Sequence, residues 1–219
     1  MLAEQLDEYK NKSCAVVALT PGAILVGAQI AMRIHATLAM LLTEEVTLPG
    51  ENEPLAAVTP DNTFTYNSKL SAGQIDEMRG EFMNFIEGQR LEKLHHLHYL
   101  LGHGGEVHRE LLNNHIVILV SDGMSTGFSL DVAMDYLKPV KIKKLIAVTP
   151  IASANAVDKM HLTADKLICL NVAANFIETN HYYEDNTIPA MEDLLRVVLT
   201  MPVHWSQEEQ VVTSSHKIL

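Results

Sequence analysis

Residues 117–129, VILVSDGMSTGFS, combine the residue types that bind a phosphate ester next to a sugar. Four apolar residues lead into a turn where Gly123 and Gly127 allow a ligand to approach the backbone closely. Asp122 stands just before that turn, and its carboxylate could accept hydrogen bonds from two neighbouring sugar hydroxyls. Hydroxyls beside the free amides of a helix N-terminus suit a phosphate monoester, and they come from Ser125, Thr126 and Ser129. Phosphate and diol together describe a ribose 5-phosphate.

The same spacing also fits an ordinary turn from a strand into a helix, in which a Ser or Thr caps the helix. Spacing alone favours neither interpretation. The motif is neither the Gly-rich loop with a terminal Lys that holds nucleoside triphosphates nor a dinucleotide-binding fingerprint.

The elements that must position this turn alternate along the chain between strands and helices. Helical spacing predicts helices over 24–34, 71–101, 125–137, 153–160 and 192–199, and short apolar runs predict buried strands at 13–19, 38–42, 115–120, 143–150 and 165–170. This alternation predicts an α/β fold with a central, mainly parallel sheet flanked by helices. Two runs around Pro60, LAAVT and TFTYN, predict a hairpin at the edge of the sheet. In such sheets ligands bind beyond the carboxyl ends of the strands.

Composition limits the classes of partner and compartment. The 219 residues carry 16 basic and 27 acidic side chains, a formal charge of −11, so we expect no binding to nucleic acid or to an anionic membrane. Two cysteines in apolar runs and a polar N-terminus, MLAEQLDEYKNK, predict a cytoplasmic protein. Residues 23–42 are apolar, but Arg33 and His35 favour a helix followed by a buried strand over a membrane span.

The motif VILVSDGMSTGFS resembles the phosphoribosyl diphosphate (PRPP) signature of the type I phosphoribosyltransferases. AVVALTPGAILVGAQIA resembles the first strand and pyrophosphate loop of that family. LPGENEPLAAV and KLICLNVAANFIETNHYYEDNTIP resemble a bacterial subgroup of uncharacterised members. The resemblance covers about residues 13 to 190.

The resemblance implies a role for each part of the motif. Asp122 would be the catalytic residue that binds the ribose hydroxyls, and Tyr182 and Tyr183 would lie in a hood over the acceptor base. A pyrophosphate loop is implied for Thr20, Pro21 and Gly22, and PRPP or phosphate binding for Ser121, Gly123, Met124, Ser125, Thr126, Gly127, Phe128 and Ser129. Mg²⁺ would bridge the diphosphate and the ribose. The implied organisation is one domain over 1–202, with a helical arm at about 71–112 and a hood at about 171–189, followed by a tail over 203–219.

Three departures from the family pattern bear on activity. Ser121 replaces the first of two acids, the pyrophosphate loop lacks an Arg, and Glu44–Glu45 replaces Arg–Lys. Two hypotheses follow. One is an active phosphoribosyltransferase, a pentosyltransferase of nucleotide metabolism, that takes substitute cations from Arg79, Arg90 or Lys93. The other is a degenerate relative that binds a nucleotide or sugar phosphate as a regulatory or interaction domain.

The predicted arm carries two further patterns. His95 and His98, one turn apart, could share a metal ion, although surface histidines on a solvated helix explain them more simply. A stripe of leucines either packs on the domain's own sheet or forms the interface of a homodimer; it consists of Leu91, Leu94, Leu97 and Leu101.

Overall fold

The computed structural model describes residues 1–102, 107–185 and 187–203, apart from the side chain of Leu101. The strands are β1 (Cys14–Ala18), β2 (Thr37–Met40), β3 (Glu44–Val46), β4 (Ala56–Val58), β5 (Phe64–Tyr66), β6 (Ile116–Val120), β7 (Lys144–Ser153) and β8 (Lys166–Ala173). The α-helices are α1 (Pro21–Ile34), α2 (Ala72–Leu101), α3 (Phe128–Leu137), α4 (Ala154–Thr163) and α5 (Met191–Leu199). Short 3-10 helices span Ala3–Tyr9, Arg109–Leu112 and Thr179–Tyr182. The predicted tail, from residue 204 onwards and including Trp205, lies outside the described residues.

The central sheet has five parallel strands in the order β2-β1-β6-β7-β8, which confirms the predicted fold class. Its middle strands are apolar on both faces because helices cover both sides. One core packs α1, α5 and the N-terminal 3-10 helix on one face. A second core packs α3 and α4 on the other.

The predicted hairpin exists as β4 and β5, but it belongs to a separate three-stranded antiparallel sheet. Both edges of β4 are already paired, because β3 forms in the polar segment after β2 and lies antiparallel to β4. The hairpin therefore forms a small second sheet that packs on α3, where Ala57 contacts Phe128 and Val132.

The arm is the 30-residue helix α2. Ser71 caps it: its hydroxyl accepts from the amide of Gln74, whose side chain in turn accepts from the amide of Ser71. Leu97 is buried in the main core and Leu94 is partly buried against it, whereas 58% of Leu91 is exposed. Leu94 and Leu97 of the stripe thus pack on the domain itself, and a homodimer remains a prediction.

Residues 23–42 form most of α1 and all of β2, as predicted from Arg33 and His35 within this apolar segment. No helix within the described ranges has the length and apolar character needed to cross a membrane.

Candidate functional site

The candidate site lies where two neighbouring parallel strands end. Strand β1 leads into the turn before α1, and β6 leads into the loop before α3; Ala18 and Val120 are register partners at their ends. Beyond them, the hydroxyl of Thr20 donates a hydrogen bond of 2.6 Å to Oδ1 of Asp122. The fold therefore brings together the predicted pyrophosphate loop and the predicted ribose-binding acid, which are 102 residues apart in the chain.

Asp122 packs directly on the first turn of α1. A Cβ atom at Gly22 would overlap Oδ2 of Asp122, so only glycine leaves room for the carboxylate. Pro21 is the first residue of α1, and the positive end of the helix dipole stabilises a carboxylate placed there. The position at which an anion would meet the N-terminus of α1 is thus next to the protein's own carboxylate.

Ser121 is fully buried, and its hydroxyl donates to the carbonyl of Gly123 at 2.7 Å. Its amide donates to the carbonyl of Val148 on β7. In this conformation Ser121 stabilises the turn from inside, whereas the Asp122 carboxylate lies against the first turn of α1.

Residues 123–129, named the phosphate loop after their predicted role, form hydrogen bonds near both ends of the loop. Met124 forms a parallel bridge to Ala152, with 3.0 Å from its amide to the carbonyl of Ile151. At the other end, the amide of Phe128 donates to the hydroxyl of Thr126 at 3.2 Å. No hydrogen bond within the described part of the chain engages the amides of Gly123, Ser125, Thr126, Gly127 and Ser129. Within the described residues these five donors have no partner, although Gly127 is buried.

Gly127 has the left-handed conformation, with φ of 71°, and it is the N-cap of α3. The aliphatic stem of Lys159 covers it: a Cβ at Gly127 would lie 2.7 Å from Cδ of Lys159. The Lys159 ammonium lies 2.7 Å from Oδ2 of Asp131 and 2.8 Å from the hydroxyl of Ser68. The sequence alone did not identify Lys159, because only the packing of α4 on the loop brings this lysine next to the predicted phosphate-binding residues.

Ser153 connects the cap of α4 to the phosphate loop. Its hydroxyl accepts from the amide of Ala156 at 3.0 Å and donates to the carbonyl of Ser125 at 2.5 Å. We expect Ser153→Ala to lower the free energy of unfolding by about 1 kcal/mol, the usual effect of losing a helix cap, and also to weaken binding of ribose 5-phosphate several-fold. Urea unfolding and calorimetry measure the two effects.

The matched control for Ser153→Ala is Ser71→Ala, which removes the cap of α2 without touching the phosphate loop. Both variants should lose stability, but only Ser153→Ala should lose affinity. Equal affinities in the two variants would show that the contact to Ser125 does not order the loop.

The predicted hood, about residues 171–189, packs on the turn that contains Asp122 and Gly123. The Tyr183 hydroxyl donates to the carbonyl of Asp122 at 2.6 Å, and burial, followed by the charge of Asp122, raises the pKa of Tyr183 to about 12. Thr179 packs so closely on Gly123 that a Cβ there would lie 2.6 Å from its hydroxyl oxygen. Tyr182 instead closes the hood on itself, because its hydroxyl accepts from the amide of Ile177 and donates to the carbonyl of Asn175.

A cavity of about 470 Å³ lies on the other side of the Thr20–Pro21 turn and extends to Ser129. We name it the acidic cavity, because Glu44 and Glu45 line it. Glu44 is paired with two groups of α2, Lys93 at 3.4 Å and Nδ1 of His96 at 2.6 Å. Partial shielding from water, followed by the charge of Glu44, raises the pKa of Glu45.

Of the three substitute cations predicted from the sequence, Lys93 is the one that lines the acidic cavity. Arg90 hydrogen bonds to Asn62 and lies over the ring of Phe64, on the small sheet. Arg79 is exposed on the arm.

The described residues contain no group of three His, Cys, Asp or Glu side chains placed to hold a metal ion. His95 is exposed, and His98 has Nε2 3.2 Å from the carbonyl of Pro60, so neither belongs to such a group.

A family model described as "Phosphoribosyl transferase domain" matches residues 1–185. Proteins from two strains of Mycobacterium tuberculosis, assigned by name as phosphoribosyl transferases, are 24% identical over 187 residues. The match covers 85% of this chain but 41% of theirs, so the chain spans less than half the length of these curated relatives. The crystal structure of TT1426 from Thermus thermophilus has the same fold, with a TM-score of 0.69 and 22% identity over 91% of this chain and 93% of that one.

Proposed function

The chain belongs to the phosphoribosyl transferase domain family, and we propose from this premise that it binds a ribose 5-phosphate ester at residues 121–129. We further propose that it transfers the phosphoribosyl group from PRPP to a nitrogenous acceptor. The observation that carries the proposal is the set of five amides without a partner among the described residues, those of Gly123, Ser125, Thr126, Gly127 and Ser129, in the loop that follows Asp122.

The phosphate would accept from the amides of the loop and from its hydroxyls. The N-terminus of α3 adds the favourable end of a helix dipole. Lys159 lies beside Gly127, but its charge is paired with Asp131, so the loop amides and the helix dipole would carry most of the phosphate binding. The ribose hydroxyls would then donate to Asp122, which precedes the loop directly in the chain.

Mg²⁺ would bind at this site through one carboxylate of the protein together with oxygens of the substrate. Mg²⁺ prefers oxygen ligands in octahedral geometry, and it is commonly bound through one or two carboxylates together with substrate phosphates. Asp122 provides one such carboxylate at the turn. When bound, the ion would neutralise charge that develops on the leaving diphosphate.

In the proposed reaction, the lone pair of the acceptor nitrogen forms the new bond to C1 of the ribose. The bond from C1 to the diphosphate oxygen breaks, and pyrophosphate leaves with the electron pair. The acceptor nitrogen releases its proton to water. The protein's part is to hold the ribose and both reacting groups in place.

Calorimetry with ribose 5-phosphate tests the binding proposal, and pyrophosphate release from PRPP and Mg²⁺ with a panel of nitrogenous bases tests transfer. We expect saturable binding of ribose 5-phosphate at a single site. Absence of binding at millimolar concentration would refute the proposed function.

Two observations favour a second candidate, a relative that binds the phosphosugar but no longer transfers it. Glu44 and Glu45 line the acidic cavity next to the pyrophosphate loop, and Asp122 already lies at the N-terminus of α1. Both features oppose binding of a diphosphate. This candidate predicts that ribose 5-phosphate binds while PRPP gains no affinity from its diphosphate, and that no acceptor releases pyrophosphate.

The Glu45→Gln variant should bind PRPP roughly two- to fivefold more tightly than the unchanged protein, the scale of one exposed charge interaction. Ribose 5-phosphate, which carries no diphosphate, should bind equally to both proteins. Because the pKa of Glu45 is raised, the unchanged protein should approach the variant as pH falls towards that pKa and Glu45 takes up a proton. Calorimetry across pH measures the difference.

Glu51→Gln is the control for Glu45→Gln, since it removes the same charge from an exposed position on the β3–β4 loop. A gain in PRPP affinity with Glu51→Gln as large as that with Glu45→Gln would mean that only net charge matters. It would contradict a local role for the acidic cavity.

A further inference from the structure

A second, smaller cavity lies between α1 and the hood and touches the candidate site at a different point. It measures about 80 Å³ and is lined by Gly22 and Asp122 on one side and by the hood on the other. The acidic cavity contacts Thr20 and Pro21 instead. The two cavities therefore meet the same turn through different residues.

The chemistry of transfer assigns a role to each cavity. The nucleophile must approach the carbon of the ribose that the leaving group departs from, so the acceptor and the diphosphate occupy separate spaces beside one sugar. The proposed ribose position is at Asp122, and the smaller cavity contacts this residue directly. This step rests on the proposed function.

The smaller cavity encloses only part of a ring. A cavity of about 150 Å³ is needed to enclose benzene, whereas this one has about 80 Å³ and opens to solvent. Its walls are apolar on the α1 side, at Leu25 and Val26, and Ile188 lies on the hood side. One edge of an acceptor ring would enter, and the groups at that edge decide which acceptors bind.

The charged groups among the described lining residues are two carboxylates, Asp122 and Asp185, with no Lys, Arg or His. The amide of Thr187 donates to Oδ1 of Asp185 at 3.0 Å and holds the pKa of Asp185 below its ordinary value. Tyr183 has a pKa of about 12 and stays neutral at physiological pH. The cavity thus offers hydrogen-bond acceptors and negative charge to whatever enters it.

We infer that this cavity selects a neutral or cationic nitrogen acceptor that donates hydrogen bonds, and that it rejects acceptors bearing a carboxylate. An anionic ring would meet two carboxylates without a compensating cation, which costs binding free energy at close range. An amino or amide group at the same position would donate to Asp185, since Asp122 accepts from the ribose hydroxyls.

Two nucleotides that differ in one group test this inference. Nicotinamide mononucleotide carries an amide where nicotinate mononucleotide carries a carboxylate, and both contain the same ribose 5-phosphate. We expect the carboxylate form to bind at least about tenfold more weakly, the effect of a few charge interactions in partly exposed surroundings. Calorimetry at constant ionic strength gives the two dissociation constants.

Asp185→Asn should reduce that ratio several-fold while leaving ribose 5-phosphate binding unchanged. Asp193→Asn is the matched control, because it removes the same charge away from the cavity, on α5, where Asp193 pairs with Arg196. The control should keep the ratio of the unchanged protein.

The outcomes distinguish a failure of the proposed function from a failure of this inference alone. If ribose 5-phosphate itself fails to bind, the proposed function falls and the inference with it. If ribose 5-phosphate binds but the two nucleotides bind equally, or neither binds, the inference alone is wrong. A ratio that Asp185→Asn and Asp193→Asn alter equally would also overturn it, since the selection would then come from net charge.

Discussion

The Asp122→Ala variant is expected to lose binding of ribose 5-phosphate by about a hundred-fold to ten-thousand-fold. The carboxylate of Asp122 would accept from two ribose hydroxyls, and each hydrogen bond to a charged group is worth about 1.5–3 kcal/mol. Loss of both costs about 3–6 kcal/mol. Calorimetry with ribose 5-phosphate measures the affinity, and pyrophosphate release measures the consequence for transfer.

The Asp122→Asn variant removes the charge of Asp122 but nearly keeps the size and shape of its side chain. An amide oxygen can still accept from Thr20 or from one ribose hydroxyl, so this variant should bind with an affinity between those of Asp122→Ala and the unchanged protein. Asp158→Ala, on the exposed surface of α4, controls for the loss of a carboxylate elsewhere. Full affinity in both Asp122 variants would show that the ribose does not lie at this residue.

The Gly127→Ala variant is expected to lose both stability and phosphate binding. A residue with a side chain pays about 1–2 kcal/mol for the left-handed conformation, and Gly127 has φ of 71°. In addition, the new methyl group would lie 2.7 Å from Cδ of Lys159. The lysine must then move and release Asp131 and Ser68, so we expect the affinity for ribose 5-phosphate to fall by at least about tenfold.

Gly50→Ala isolates the conformational cost. Gly50 also has a positive φ, of 86°, and an added Cβ there would have no atom within 4 Å. Both variants should unfold at lower urea concentration, whereas Gly50→Ala should bind ribose 5-phosphate normally. If both variants kept normal affinity, Lys159 and the conformation of Gly127 would have no part in phosphate binding.

The acidic cavity raises the question of whether this member of the family gains binding free energy from the diphosphate of PRPP. The predicted phosphate loop has unengaged amides, hydroxyls and Lys159 nearby, whereas the predicted pyrophosphate side has two carboxylates and Lys93, and both lysines are paired with carboxylates. The comparison of PRPP with ribose 5-phosphate, in the unchanged protein and in Glu45→Gln, therefore measures whether the diphosphate contributes to binding. An active enzyme should gain binding free energy from the diphosphate of PRPP, whereas a relative that only binds the phosphosugar should not.

The parallel sheet could be predicted because it follows from local patterns, whereas the phosphate-binding role of residues 123–129 stays a prediction. Apolar runs such as 115–120 must be buried on both faces, and they were identified as strands for that reason. Gly127 was assigned to the loop by its place between a strand and a helix, and it is the left-handed N-cap of α3. Small polar residues and glycine at the end of a buried strand can indicate a ligand site without any knowledge of distant contacts.

The tertiary structure alone decided how the side chains at this site are paired. Asp122 meets Thr20 across 102 residues, Lys159 covers Gly127 from α4, and Glu44 turns towards His96 of α2. Strand β3, hidden in a polar segment, forms because β4 offers it a partner, which places the hairpin in its own sheet. Such pairings depend on how helices and strands are oriented against one another, and no periodicity within a single segment contains that orientation.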